Sequence, residues 1–441
     1  MTEPPTAPDA ATAYDVAAAY DVAAVRGRFP ALAAGAAHFD GPGGSQTPDV
    51  VARAVYDTLT RPLANRGTVT LGERNAEETV VACRAALADL LDVEPDGVIF
   101  GRSMTQNTMD LARTMARRWG PADEVVVTRL DHDGNVRPWV LAARAVGVTV
   151  RFADFDPETG ELELDHIERV LSHATRLVAV TAASNLIGTM PDIAAISQLA
   201  HAAGAWLHVD GVHHSAHAAV DVPALGADFY ACSPYKFLGP HCGVTYGRPE
   251  LLEQLSPDKL LPATDAVPER FELGTLPYEL MAGTTAAVDF LADLAPSAAG
   301  TGRAAGAGSA GADRRARLLA SMAALQAHED VLRERIEAGL RELPGATLWS
   351  RAARRTPTLL TTFEGHDPQD IRTFLGERGV NAPAGSFYAY EASHRLGLGD
   401  AGGLRIGLAP YNDDSDVDRL LTGLREYFDR GHRGHRGRRL A

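Results

Sequence analysis

Cys232-Ser233-Pro234-Tyr235-Lys236-Phe237-Leu238-Gly239-Pro240-His241-Cys242-Gly243 sets one lysine among apolar and small residues. An amine in such surroundings is costly to bury unless it has a partner or a covalent use. Gly239 and Pro240 follow at once and re-aim the backbone. Upstream, Ala205-Trp206-Leu207-His208-Val209-Asp210 reads as a buried strand ending in a carboxylate, 26 positions before Lys236. A lone lysine here would read as a side chain snorkelling from a strand edge. Paired with a strand-end carboxylate, it suits an electron-sink cofactor. Lys236 would form a Schiff base with an aldehyde, and Asp210 would hold a ring nitrogen protonated.

Outward from this stretch the chain alternates strand and helix patterns. Apolar runs at 98–100, 124–128, 149–152, 177–181 and 205–210 read as strands. Helical spacing marks 48–59, 79–91, 108–118, 138–146 and 192–203. Such alternation predicts a mostly parallel sheet between helices, with ligands gathered at the carboxyl ends of the strands. Thr105, His132, Asn185 and Asp210 fall at such ends or just beyond. The loop 101–107 opens a helix, and its free amides and dipole suit a phosphate. Ordinary capping by Ser103 or Thr105 accounts for the same residues equally well.

Residues 1–28 are expected to be a flexible extension with an amphipathic stretch at 22–29, and 29–295 a large domain. The Gly/Ala-rich segment 296–315 predicts a flexible surface insertion. A long helix pattern at 316–342 follows. Strands at 358–363 and 404–408, a helix at 370–378 and a final helix from about Asp414 complete a small α+β domain over 316–430. The basic tail 431–441 reads as a frayed, solvated terminus. There is no internal repeat.

Composition narrows the classes. With 441 residues, 45% of them hydrophobic, the chain is globular. No apolar run approaches the ~20 residues of a membrane span, and the start lacks the features of a signal peptide. The formal charge of −15 argues against a general nucleic-acid binder. Only Cys83, Cys232 and Cys242 are present, so no disulfide framework is expected and a cytoplasmic location is. The histidines at 208, 213, 214 and 217 have no neighbouring thiol or carboxylate spacing that would suggest a metal site.

The motifs Asp210-Gly211-Val212-His213, Asp228-Phe229-Tyr230 and Ser233-x-Tyr235-Lys236-x-x-Gly239-Pro240 resemble those of fold-type I pyridoxal-phosphate (PLP) enzymes. The resemblance is to the class V aminotransferases, in the group of cysteine desulfurases, selenocysteine lyases and isopenicillin N epimerases. It covers residues 39–420. It implies a large domain with a mostly parallel, seven-stranded type of sheet between helices, and a smaller α+β carboxyl-terminal domain. It implies PLP on Lys236, with Asp210 at the ring nitrogen. His132, in Asp131-His132-x-x-Asn135, would stack on the ring. Thr105, with Gln106 beside it, and Ser233 and Tyr235 would bind phosphate, although many relatives have His where Tyr235 stands. Asn185 and His213 would lie near the phenolate oxygen, where desulfurases carry Gln in place of His213. Arg405 matches the arginine that grips a substrate α-carboxylate, a task that suits a bidentate fork. Asn65 and Arg66, in a loop, count with the substrate-binding residues. Thr275 matches a loop that reaches the neighbouring subunit's phosphate, which implies a homodimer.

One departure bears on the reaction. Desulfurases carry a nucleophilic cysteine on a mobile carboxyl-terminal loop. That region here is Gly379-Val380-Asn381-Ala382-Pro383-Ala384-Gly385-Ser386-Phe387-Tyr388-Ala389, without a thiol. Persulfide formation at that loop is therefore excluded for this chain, and Cys232 and Cys242 read as small core residues. The expected enzyme acts on an amino acid as a desulfurase-like C–S lyase by β-elimination. The alternatives are an aminotransferase or epimerase of a small amino acid, or a non-catalytic PLP-fold regulator. Against the regulator, residues 1–38 are too short for an appended DNA-binding domain.

Overall fold

The computed structural model describes residues 20–295 and 310–437, with side chains in the second stretch described over 314–430. A short strand β1 (Ala37–His38) precedes seven strands that form one sheet. These are β2 (Val98–Gly101), β3 (Glu124–Thr128), β4 (Thr149–Ala153), β5 (Thr175–Thr181), β6 (Trp206–Asp210), β7 (Phe229–Cys232) and β8 (Gly243–Gly247). Their order is β2-β8-β7-β6-β5-β3-β4. Only β8 runs against its neighbours; β3 to β7 pair in parallel.

Both faces of this sheet are covered, and the side-chain period of two explains why its strands read as unbroken apolar runs. Val125, Val127, Leu177 and Ala179 enter one core with Trp139 and Met115. The intervening Val126, Val178 and Val180 enter the other. Asp210, Thr181, Thr128 and Cys232 all end their strands on one edge of the sheet, so the loops beyond them converge.

The smaller domain has an antiparallel sheet of β9 (Ala346–Leu348), β10 (Thr358–Phe363), β12 (Ala384–Gly385) and β13 (Gly403–Gly407), in the order β12-β13-β10-β9. Between them, β11 (Val380–Asn381) pairs in parallel with β1. Ala37 and Phe39 therefore pack into the core of the small domain, far along the chain from their sequence neighbours.

Several boundaries differ from expectation. Residues 1–19 lie outside the described residues, but 20–28 are packed rather than extended. Tyr20 is buried with its hydroxyl donating to the Pro410 carbonyl at 2.7 Å, and Val25 and Phe29 join the main core. The helix expected at 79–91 begins at Leu71, because Thr70 and Glu73 form a reciprocal capping box. The helix expected at 108–118 begins at Met104, because Ser103 Oγ accepts the Gln106 amide at 3.1 Å. Most of the loop read at 101–107 is thus the first helical turn. Residues 296–309 of the expected insertion lie outside the described residues, while 310–315 form the start of a helix over Ala310–Arg341. The last helix, Asp414–Gly437, runs through most of the segment read as a frayed tail, of which 438–441 lie outside the described residues. Among the described residues no helix is long and apolar enough to cross a membrane.

Candidate active site

A cleft of about 460 Å³ opens at the carboxyl edge of the large sheet. It is lined by Pro42, Met104, Thr105, His132, Thr181, Ala183, Asn185, Asp210, Val212, His213, Ser233, Tyr235 and Lys236. Lys236 ends a tight turn, Pro234–Lys236, directly after β7. Its Nζ donates to the Pro42 carbonyl and lies 4.9 Å from the centre of the Tyr235 ring. Tyr235 in turn stacks on His241, with ring centres 4.6 Å apart. Burial lowers the Lys236 amine to about 7; Arg405 pushes it the same way, and Asp40 and Asp210 oppose.

Asp210 closes β6 and is almost wholly buried. Its Oδ1 accepts the Val212 amide at 2.9 Å. Burial raises its carboxyl to about 6, against that hydrogen bond and the nearby Lys236. His132 is positioned by the turn after β3. Asp131 accepts from Thr128 and from Asn135 Nδ2, and Asn135 Oδ1 accepts from Trp139 Nε1 at 3.2 Å. His132 Nδ1 accepts the Gly134 amide at 2.9 Å, which leaves its proton on Nε2. Burial lowers its pKa to about 4, with Lys236 acting in the same direction, so the ring is a neutral flat surface at pH 7.

His213 joins the two domains. Its Nε2 lies 2.9 Å from the hydroxyls of both Thr356 and Thr358, which belong to the start of β10 and its approach. Asn185 Nδ2 donates to the Phe387 carbonyl at 2.8 Å, and the Asp133 amide donates to the Tyr388 carbonyl at 2.7 Å. The loop after β12 is thereby tied across the cleft. Phe387 and Tyr388 both hold left-handed backbone, φ 53° and 58°, a conformation that non-glycine residues adopt only when their surroundings impose it. Tyr388 lies over His132, with ring centres 5.6 Å apart.

The structure brings Thr105, His132, Asn185, Asp210, His213, Ser233, Tyr235 and Lys236 together. Five other residues singled out in the sequence do not line the cleft. The Gln106 side chain turns to Asp110, with Nε2 3.0 Å from its carboxylate. Arg66 is held by Glu77 and Glu269, each at 2.8 Å, and Asn65 and Thr275 are exposed elsewhere on the surface. Arg405 lies behind Asn185, to whose carbonyl its Nη1 donates at 3.1 Å. Asp40, Pro42, Thr356, Thr358 and Phe387 were not singled out, although each touches a residue that was. The only trace of Asp40 in the sequence is its place where the strand around Phe39 breaks into Gly41-Pro42-Gly43-Gly44. No thiol lines the cleft: all three cysteines are buried, and burial raises Cys242 to about 12 and the other two higher.

Asn185 Oδ1 and His213 Nδ1 are buried in the cleft wall without a partner among the described residues, as is Arg405 Nε just behind. Buried polar atoms are rarely left so. With an amine, a strand-end carboxylate and the amides of a helix N-terminus, they form a donor and acceptor set that fits PLP: an aldehyde, a ring nitrogen, a phenolate and a phosphate. Comparison with known proteins points the same way. The family Aminotransferase class-V matches residues 37–420. A probable cysteine desulfurase of Pseudomonas aeruginosa is 31% identical over 418 residues, covering 90% of this chain and 96% of that one. An uncharacterized protein of Mycobacterium tuberculosis is 32% identical over 402 residues, covering 91% and 97%. The crystal structure of the cysteine desulfurase CsdA from Escherichia coli superposes with a TM-score of 0.80 at 26% identity, over 93% of this chain and 99% of that one. The chain belongs to the class-V aminotransferase family and is a PLP-dependent enzyme of fold type I.

Proposed function

We propose that this enzyme acts on a small amino acid as a β-eliminating C–S lyase, without a protein thiol as sulfur acceptor. The observation that carries the proposal is the loop tied across the cleft. It carries Phe387 and Tyr388 and no cysteine beside the cleft, and the three thiols present are buried and held protonated.

PLP, when bound, supplies an electron sink for the bond broken at the substrate α-carbon. Lys236, its amine lowered to about 7 and so partly unprotonated at pH 7, is the group to hold that cofactor and then to remove the α-proton through Nζ. Asp210 would hold the proton of the ring nitrogen through its carboxylate. His132 supplies a flat neutral face, and Thr105, Ser233 and Tyr235 receive the phosphate. Asn185 Nδ2 gives one proton to Phe387, and His213 Nδ1, in the tautomer whose Nε2 accepts from a threonine hydroxyl, would donate to the phenolate oxygen. Arg405 receives the substrate carboxylate. Neither hydroxyl of the loop can replace a thiolate: Ser386 and Tyr388 are weak nucleophiles unless a base activates them.

The same reading includes a homodimer. Exposed apolar side chains gather on the segments that carry Asn65, Arg66 and Thr275: Leu59, Val69 and Leu71 on one, and Leu260, Leu261 and Leu273 on the other. The Arg66–Glu269 ion pair links the two segments. A partner covering this face would bring those three residues to its own cleft.

The test is product analysis with L-cysteine. Elimination consumes one water and releases pyruvate, ammonia and sulfide in equal amounts. Alanine in stoichiometric yield, with sulfur left on the protein, would refute the reading.

A further inference from the structure

The Arg405 guanidinium is already occupied. Nη2 donates to Asp40 Oδ1 at 2.7 Å, Nη1 to the Asn185 carbonyl at 3.1 Å, and the Phe387 ring centre lies 3.6 Å from its central carbon. The Arg405 side chain is 2% exposed, whereas that of Asp40 is 43% exposed. A guanidinium this deeply buried is costly without an anion beside it.

The backbone of Asp40 is fixed independently of its side chain, whose partner is Arg405. Its backbone bridges Gly407 on β13, and its carbonyl accepts the amides of Gly43 and Gly44 at 2.9 and 3.1 Å. The turn packs too closely to move: a Cβ on Gly41 would stand 2.1 Å from the Leu408 carbonyl oxygen. The carboxylate, half in water, can leave by rotation about its own Cα–Cβ bond. It lies against Gly43, where a Cβ would come within 2.4 Å of it.

We propose that Asp40 is the resting counter-ion of Arg405, standing in for a ligand carboxylate and yielding its place when an amino acid binds. This rests on the reading of Arg405 as the carboxylate-binding residue. On binding, the substrate carboxylate takes over Nη2 and Asp40 turns to solvent, so no charge is left buried and unpaired. Every carboxylate ligand must first displace an ion pair, and Asp40 therefore acts as a specificity residue. It excludes simple carboxylic acids, which have no amino group to add a second attachment at Lys236.

Holoenzyme titrated with 2-aminoisobutyrate, which has no α-proton, reports binding through the visible absorbance of the cofactor; the matched ligand without the charge is its amide. Asp40→Asn is expected to bind the acid about five- to tenfold more tightly than wild type and the amide equally well. Arg405→Gln is expected to weaken the acid by about tenfold or more and spare the amide. An acid affinity that is unchanged or weaker in Asp40→Asn, with the Arg405→Gln loss intact, overturns the proposal alone. No loss in Arg405→Gln overturns the reading of Arg405 and the proposal with it. Thermal unfolding gives a readout independent of ligand chemistry at Lys236. Full-length Asp40→Ala is expected to regain stability in acetate and not in acetamide, and wild type to gain none from either. An equal gain in both proteins with acetate would refute the counter-ion role.

Discussion

The two ends of the cleft are built differently. At one end, Lys236, Asp210 and His132 stand directly beyond strands of a single sheet, within four residues of a strand terminus or at it. Their positions follow from backbone hydrogen bonding in β3, β6 and β7. At the other end, Arg405 is surrounded by Asp40, Asn185 and Phe387, which come from three segments hundreds of residues apart in part. The first arrangement is fixed by the pairing of one sheet. The second depends on how two domains and two loops meet, and its loop over 382–389 contains no cysteine.

The sharpest way to break this contrast is at Lys236. Lys236→Ala should abolish turnover and the borohydride-reducible visible band, because no other lysine lines the cleft. A variant that keeps a wild-type band would move the attachment point elsewhere. Asp210→Asn should retain part of the bound cofactor and lose turnover by more than about tenfold, roughly 1.4 kcal/mol of barrier. An amide cannot hold the ring nitrogen protonated as a carboxylate does, so a smaller loss would count against the assignment.

The rigid end was readable because each of its residues carries a local signal. A carboxylate that ends an apolar strand, a lysine in a small-residue turn and an Asp-His pair after a strand all lie within a few positions of their structural cause. Asp40 and Phe387 had no such signal. Their importance comes from β1 pairing with β11 and from β13 lying between β10 and β12, long-range pairings that no local pattern reports. Thr356 and Thr358 were invisible for the same reason, since only domain packing brings their hydroxyls to His213. Helices start at Leu71 and Met104, ahead of where apolar spacing places them, because polar capping residues decide these boundaries.

A pH experiment sharpens the comparison by asking how far the loop-built end acts on the sheet-built one. Burial sets the Lys236 amine near 7, and Arg405 is the next cause. Protonation removes the nucleophilic lone pair, so the attaching form grows as pH rises through that value. The rate of PLP uptake by cofactor-free enzyme should therefore rise between about pH 6 and about pH 8 and level off above. In Arg405→Gln the midpoint should move to higher pH, because a nearby positive charge is gone. Stopped-flow absorbance measures both. A wild-type rate still climbing at about pH 10 would describe an ordinary exposed lysine, and an unmoved midpoint in Arg405→Gln would separate the two ends electrostatically.

The smallest effect is expected where sulfur chemistry would normally be sought. Cys83, Cys232 and Cys242 lie in the main core, and none lines the cleft. Cys242 Sγ is 3.5 Å from the Thr284 hydroxyl and 3.6 Å from the Pro240 carbonyl, a weakly bonded core side chain. Burial holds all three as thiols, and a thiol is a poor nucleophile beside its thiolate. Removing them leaves small cavities, so Cys→Ala at all three positions should cost about 1 kcal/mol or somewhat more each in stability. It should leave kcat/KM for sulfide release from L-cysteine within about threefold, under 1 kcal/mol of barrier. Thermal unfolding and lead-acetate or methylene-blue sulfide assays on the same preparation separate the two effects. If Cys232 or Cys242 alone accounts for most of the activity, while its replacement leaves stability and cofactor content unchanged, a buried thiol must reach the cleft by a motion of β7 or of the turn before β8, and the contrast between a fixed chemical end and an adaptable substrate end would fail.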